Sequence, residues 1–146
     1  MEHFYTHYLG FTVSDRGEGP GGLVFMTRNP NDHHQLVLNP RPSRPASDSP
    51  LNHIAFRVDS LDILRAYFSS LSTAPDISVE TVSHGNSWSI YFRDPEANRL
   101  EIFVDTPWYV SQPCRFAIDL TLSDGEIHQF TENRIRDLPG FEQMKK

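Results

Sequence analysis

The sequence predicts an α+β fold built from two related units, and three observations carry that reading. Apolar residues recur at helical spacing in two places, and each helical stretch is followed by three short runs with the alternation of strands. A proline-rich stretch at 40–50 divides the two sets. With 38 % hydrophobic residues, 12 % aromatics and ten phenylalanines in 146 residues, the chain can form an ordered core as one domain or as two small repeats sharing one core.

The opening 2–9 reads as a helix, because Phe4 with Tyr8 and Tyr5 with Leu9 recur at i, i+4 and Gly10 stands where a C-terminal cap belongs. Phe11-Thr12-Val13 alternates as a strand, the glycines of 17–22 form a turn, and 23–26 is the next strand. A second turn, Asn29-Pro30-Asn31-Asp32, leads into a third strand over 33–38. The linker 40–50, with Pro40, Pro42, Pro45 and Pro50, is too rich in proline to pack as an element.

Beyond the linker, 52–58 alternates strictly, and a helix capped by Asp59 or Ser60 sets Leu61, Leu64, Phe68 and Leu71 on one face. Strands follow over 77–82, 87–92 and 99–104, the last two joined by Asp94-Pro95-Glu96-Ala97-Asn98. In the tail, Ser123 and Glu126 form a capping-box pair that opens a helix carrying Ile127, Phe130 and Ile135 and ending near Pro139-Gly140. Trp108, Tyr109 and Val110 are placed to cover part of the core. The expected organisation is a domain over 1–105, with module one at 1–39, the linker at 40–50 and module two at 51–105, then a C-terminal extension, 106–146, with one helix. Module two has a strand before its helix and module one does not, so the first strand of module one is expected to be missing from this chain. A sheet edge is then left for another segment or a second subunit to fill, which favours a homo-oligomer.

Charge and composition narrow the function. A formal charge of -6 with dispersed basic residues argues against nucleic acid as a partner. No apolar run reaches the roughly 18 residues of a membrane span, and the first residues lack the layout of a signal peptide. The lone Cys114 excludes an internal disulfide and a thiolate zinc site, which fits a reducing cytoplasm.

The alternation of Ile54, Phe56 and Val58 puts His53, Ala55 and Arg57 on the opposite face of their strand, and Leu100, Ile102 and Val104 do the same for Glu101 and Phe103. An imidazole and a carboxylate converging in a sheet cavity suit Fe(II), Mn(II) or Zn(II). By themselves, a strand histidine and a distant glutamate read more readily as a surface pair or a satisfied hydrogen bond. Tyr91 alternates with Ser89, away from Trp88, Ile90 and Phe92.

The run Val82-Ser83-His84, then Ile90-Tyr91, Asp94-Pro95 and Glu101 resembles the signature of the type I extradiol catechol dioxygenases of the vicinal oxygen chelate superfamily. The likeness extends to Leu9-Gly10-Phe11, His33-His34, Asn52-His53-Ile54-Ala55-Phe56 and Asp105-Thr106-Pro107-Trp108, so nearly the whole chain takes part. Two residues past the proline the pattern has Gly or Pro, whereas this chain has Ala97.

The resemblance implies paired βαβββ modules forming a curved mixed sheet around a metal cavity, and an Fe(II)-dependent ring cleavage of a catechol-type aromatic diol by dioxygen. It implies His53 and Glu101 as two of three ligands in a 2-His-1-carboxylate triad for Fe(II), with Mn(II) or another divalent metal as the alternative. His34 matches the acid–base histidine, a task suited to an imidazole with an ordinary pKa of about 6.5. Tyr91 matches the tyrosine that bonds the substrate hydroxyl, and His84 a further histidine beside the substrate oxygens. The remaining ligand would lie on the strand before the opening helix; His3 and His7, four apart on that helix, are a weaker substitute.

Two other readings stay open. A glyoxalase-like metal-dependent isomerase or transferase would place a glutamate in the third strand of module one, where 33–39 holds no acid. A non-catalytic small-molecule-binding protein of the same superfamily would need no metal, and so no reason to combine His34, His53, His84, Tyr91 and Glu101.

Overall fold

The computed structural model describes residues 1–17, 22–39 and 52–144. The linker 40–50 and the tip of the first turn lie outside the described residues. The chain divides into two compact units, Met1–Asn52 with Asp94–Asn98, and His53–Arg93 with Arg99–Lys146. Together they give a mixed α+β fold with open sheets.

In the first unit, α1 (Glu2–Leu9) buries Phe4, Tyr5 and Leu9, and Gly10 closes it in the left-handed conformation at φ 68° while its N–H bonds the Tyr5 carbonyl. A side chain at Gly10 would strain that conformation, so the helix stops where glycine permits it. Strands β1 (Thr12–Arg16), β2 (Val24–Thr27) and β3 (Leu36–Leu38) form an antiparallel sheet in that order. The third strand is shorter than its alternation predicts. Asp32 accepts from the Asn29 and Gln35 side-chain amides, and the Gln35 carbonyl oxygen of the side chain accepts from Arg28 N–H. This polar clasp holds 33–35 in the loop, and His33 and His34 with it.

The turn Asp94–Asn98 also belongs to this unit. The Asp94 carboxylate, 4 % exposed, accepts from the N–H groups of Glu96 and Asn98, from the Asn98 amide at 2.9 Å and from the Tyr5 hydroxyl at 3.0 Å. Ala97 completes the turn at φ 64°, the region that favours glycine. Against the glycine of the pattern, Ala97 therefore carries backbone strain, and a proline could not take this conformation at all.

The second unit runs β4 (Ile54–Arg57), α2 (Leu61–Ser72), β5 (Glu80–Ser83), β6 (Ser87–Arg93) and β7 (Arg99–Asp105), followed by β8 (Trp108–Tyr109), β9 (Phe116–Ala117), α3 (Asp124–Ile135) and β10 (Glu142–Gln143). Its main sheet has the order β4-β7-β6-β5-β9, with β4 parallel to β7 and the other pairs antiparallel. Helix α2 starts on Ser60, whose hydroxyl accepts from Ile63 N–H, and packs Leu64 and Leu71 toward β6 and β7. The facing strand residues Ile90, Leu100 and Ile102 are buried. Burial of this apolar face is the main force holding the unit together.

The capping box of α3 forms as its sequence predicts, but the helix ends at Ile135, short of Pro139. Arg65 of α2 ties the segment before α3 by bonds to the carbonyls of Leu120 and Leu122 and to the Asp124 carboxylate. Trp108 and Val110 are buried while Tyr109 is exposed, and β8 pairs with β10. The strand expected over 77–82 forms at Glu80–Ser83, behind the turns that follow α2. In the second unit β7 has β4 on its outer side; β3, last in the sheet of the first unit, has no such neighbour among the described residues. Nor is any helix among the described residues long and apolar enough to cross a membrane.

Two outcomes follow from the turn at 94–98. Ala97→Gly relieves the left-handed strain and raises the unfolding free energy by about 0.5–1 kcal/mol in urea titrations. Burial, then the Asp94 charge, push the Tyr5 phenol above its usual pKa. A raised phenol pKa stabilises the fold fully below pH 10.0 and progressively less above it, because the unfolded chain ionises first. Tyr5→Phe therefore costs about 1–2 kcal/mol at neutral pH and removes part of the alkaline loss of stability, measured by denaturation across pH.

Candidate metal centre

The parallel pairing of β4 with β7 sets Ala55 opposite Glu101, and the antiparallel pairing of β6 with β7 sets Tyr91 opposite the same residue. Glu101 alternates with Leu100 and Ile102, so its side chain leaves the sheet on the face opposite the apolar one. His53 stands immediately before β4, two residues from Ala55, and emerges on that same face.

Glu101 is 7 % exposed, and a carboxylate buried so far is stable only with partners. Among the described residues it has two: its Oε1 accepts from the Tyr91 hydroxyl at 2.7 Å, and its Oε2 lies 3.0 Å from His53 Nε2. The Tyr91 oxygen in turn lies 3.0 Å from His84 Nε2, and His84 Nδ1 lies 2.9 Å from the Cys114 carbonyl oxygen. The four side chains form one line, His84, Tyr91, Glu101, His53. Gly85, at φ 79°, turns the chain directly after His84, and the Val110 side chain stands 2.5 Å from where a Cβ would be. Only glycine fits that turn, which fixes the entry of His84 into the line.

Proton accounting constrains this line. A carbonyl only accepts, so His84 Nδ1 carries a proton toward Cys114. Tyr91 has a single hydroxyl proton, which its bond to Glu101 uses. Burial pushes the Tyr91 phenol above its ordinary pKa, the Glu101 bond and charge push the same way, and Arg99 and Arg115 pull it back. Tyr91 therefore stays a neutral donor to the carboxylate.

His53 and Glu101 fit a divalent ion. Their 3.0 Å separation is that of a hydrogen-bonded ion pair and also that of neighbouring ligand atoms on one ion with bonds of about 2.1 Å. Nitrogen and carboxylate oxygen are the donors that Fe(II), Mn(II) and Zn(II) take. Among the described residues, Ser89 Oγ, two residues before Tyr91 on β6 and fully buried, meets no hydrogen-bond partner, as a group awaiting a water or ligand would. The described residues bring no third His, Cys, Asp or Glu to the pair.

Of the residues singled out in the sequence, His53, Glu101, Tyr91 and His84 come together in the second unit. His34 lies in the first unit, exposed, its Nδ1 2.9 Å from His33 Nδ1, while His33 Nε2 pairs with Asp15 at 3.1 Å. His33, to which the sequence assigns no role, is the link between Asp15 and His34. Three contributors escaped sequence reasoning: the Cys114 carbonyl, Ser89, and Arg99, whose guanidinium carbon stands 4.3 Å from the centre of the Tyr91 ring. Only the β6–β7 register and the course of the tail reveal them.

Residues 1–102 match the Glyoxalase/Bleomycin resistance protein/Dioxygenase superfamily, and the chain belongs to that family. It is similar to a biphenyl-2,3-diol 1,2-dioxygenase 2 of Rhodococcus globerulus, 32 % identical over 110 residues, covering 72 % of this chain and 55 % of that protein. The chain thus spans about half the length of that relative. A glyoxylase/bleomycin resistance protein/dioxygenase domain from Frankia sp. EAN1pec shares the fold with a TM-score of 0.51 at 21 % identity, over 71 % of this chain and 85 % of that one. A glyoxalase family protein from Enterococcus faecalis does so with a TM-score of 0.51 at 21 % identity, over 70 % and 84 %.

Tyr91→Phe keeps the ring and deletes one donor to a buried carboxylate. The expected cost is about 1.5–3 kcal/mol of unfolding free energy in urea, larger than for removal of the exposed Tyr109 hydroxyl by the same substitution.

Proposed function

We propose that this chain acts as an extradiol-type, ring-cleaving dioxygenase module on a catechol-type aromatic diol, with Fe(II), or Mn(II) in its place, held by His53 and Glu101. The observation that carries the reading is the unbroken line from His84 through Tyr91 and Glu101 to His53. The family assignment and the relative named for a biphenyl diol support it. A facial triad needs one histidine more than the described residues bring to the pair, so the reading requires a ligand from outside them.

When bound, the metal supplies open positions and redox chemistry that side chains lack. The residues of the chain supply the rest. The Tyr91 oxygen can accept from a substrate hydroxyl with His84 beside it, while its own proton stays in the bond that keeps Glu101 oriented as a ligand. His34 is assigned the transfer of protons, with Asp15 and His33 orienting its ring through the contacts described above. A diol and dioxygen are the proposed small-molecule partners, and a homo-oligomer the proposed assembly.

Anaerobic titration of the full chain with Mn(II) or Fe(II), followed by calorimetry, should show one bound ion per chain. Glu101→Gln and His53→Ala should each weaken binding by at least about tenfold, on the scale set even by the supporting partners of metal ligands. Admission of air and catechol to the Fe(II)-loaded protein should yield a yellow ring-opened product. Metal binding unaffected by both substitutions, or a loaded protein that leaves catechol intact, overturns the reading.

A further inference from the structure

We infer that the Tyr91 side of this centre selects diols bearing an anionic substituent, and that Arg99 binds the substituent. The inference rests on the proposed function for the diol end of the ligand and on independent geometry for the anionic end.

A cavity of about 470 Å³ opens beside Tyr91 in the second unit, lined by Asp76, Ser78, Glu80, Tyr91, Phe92, Arg93 and Arg99. Tyr91 serves two neighbourhoods: its hydroxyl belongs to the line of His84 and Glu101, and its ring forms a wall of this cavity. Arg99 lies two residues before Glu101 on β7 and on the same face, a spacing of about 6.6 Å along a strand. That is the reach of one aromatic ring with one substituent.

The guanidinium of Arg99 is stacked on Tyr91, with 32 % of the side chain exposed. Its carboxylate neighbour among the described residues is Glu80, at 3.8 Å, a loose ion pair. Glu80 spends its short contact elsewhere, at 2.7 Å from Arg115 Nη2. Arg115 thus neutralises Glu80, and Arg99 keeps most of its planar array of N–H donors for another acceptor. The cation–π contact with the phenol ring restrains the group and reduces what a ligand must order on binding. A planar guanidinium matches a carboxylate through two parallel hydrogen bonds, which a neutral phenyl substituent cannot use.

Three probes separate this inference from the proposed function: catechol, which has only the diol; benzoate, which has only the carboxylate; and 3,4-dihydroxybenzoate, which has both. Calorimetry on the full chain, with and without Mn(II), should give 3,4-dihydroxybenzoate an affinity at least about tenfold above catechol, as charge-assisted hydrogen bonds provide. Arg99→Gln should erase that preference, read as the ratio of the two affinities on the same variant, while Arg99→Lys should retain part of it. Benzoate binding that depends on Arg99, without catechol binding, supports the anion site and removes the dioxygenase reading. Catechol binding with no gain from the carboxylate, or a gain that survives Arg99→Gln, overturns the anion site and leaves the dioxygenase reading standing. Absence of benzoate and dihydroxybenzoate binding to the unsubstituted chain overturns it without recourse to any variant.

Discussion

Glu101 is a charged group at a place where water scarcely reaches, and the second unit is arranged to keep it there. Its burial follows from β7, a central strand with β4 on one side and β6 on the other. The apolar alternation of that strand turns Leu100 and Ile102 into the core beneath α2 and so forces Glu101 out on the opposite face. A carboxylate in that position destabilises the fold unless hydrogen bonds and a cation or metal offset its desolvation. Both neighbouring strands deliver a partner, Tyr91 in register from β6 and His53 from the entry to β4, two residues before the position opposite Glu101. One interaction thus links the packing of the helix side to the chemistry of the open side.

The C-terminal segment takes part in both. Trp88, on the apolar face of β6, donates its indole N–H to Thr131 of α3 at 2.9 Å, so α3 extends the cover of that face. On the way to α3, the chain presents the Cys114 carbonyl to His84 and lays Arg115 against Glu80. The extension therefore anchors one end of the His84 line and sets the charge balance of the cavity beside Tyr91. A tail that looked like an appendage in sequence contributes directly to the site.

Much of this was legible in the sequence because strand parity is a local property. The alternation around His53 and Glu101 correctly put both on one face, the i, i+4 pairs and Gly10 set the bounds of α1, and Ser123 with Glu126 announced α3. The errors arise where side chains compete with the backbone. The clasp of Asn29, Asp32 and Gln35 keeps His33 and His34 out of β3, against an alternation that favoured a strand. The two-residue strands β8, β9 and β10 are too short for any periodicity to show. Arg99 and Ser89 gained meaning only from pairing register, which no single strand encodes. The metal role proposed for His53 and Glu101 comes from resemblance, and their 3.0 Å approach is the observation that agrees with it.

The central claim is that His53 and Glu101 are brought together to hold a divalent ion. Anomalous diffraction from crystals grown with Mn(II), recorded at the manganese absorption edge, tests it most directly. The account predicts one strong peak within bonding distance of His53 Nε2 and a Glu101 carboxylate oxygen. A peak elsewhere, or none with His53 and Glu101 still in direct contact, contradicts it.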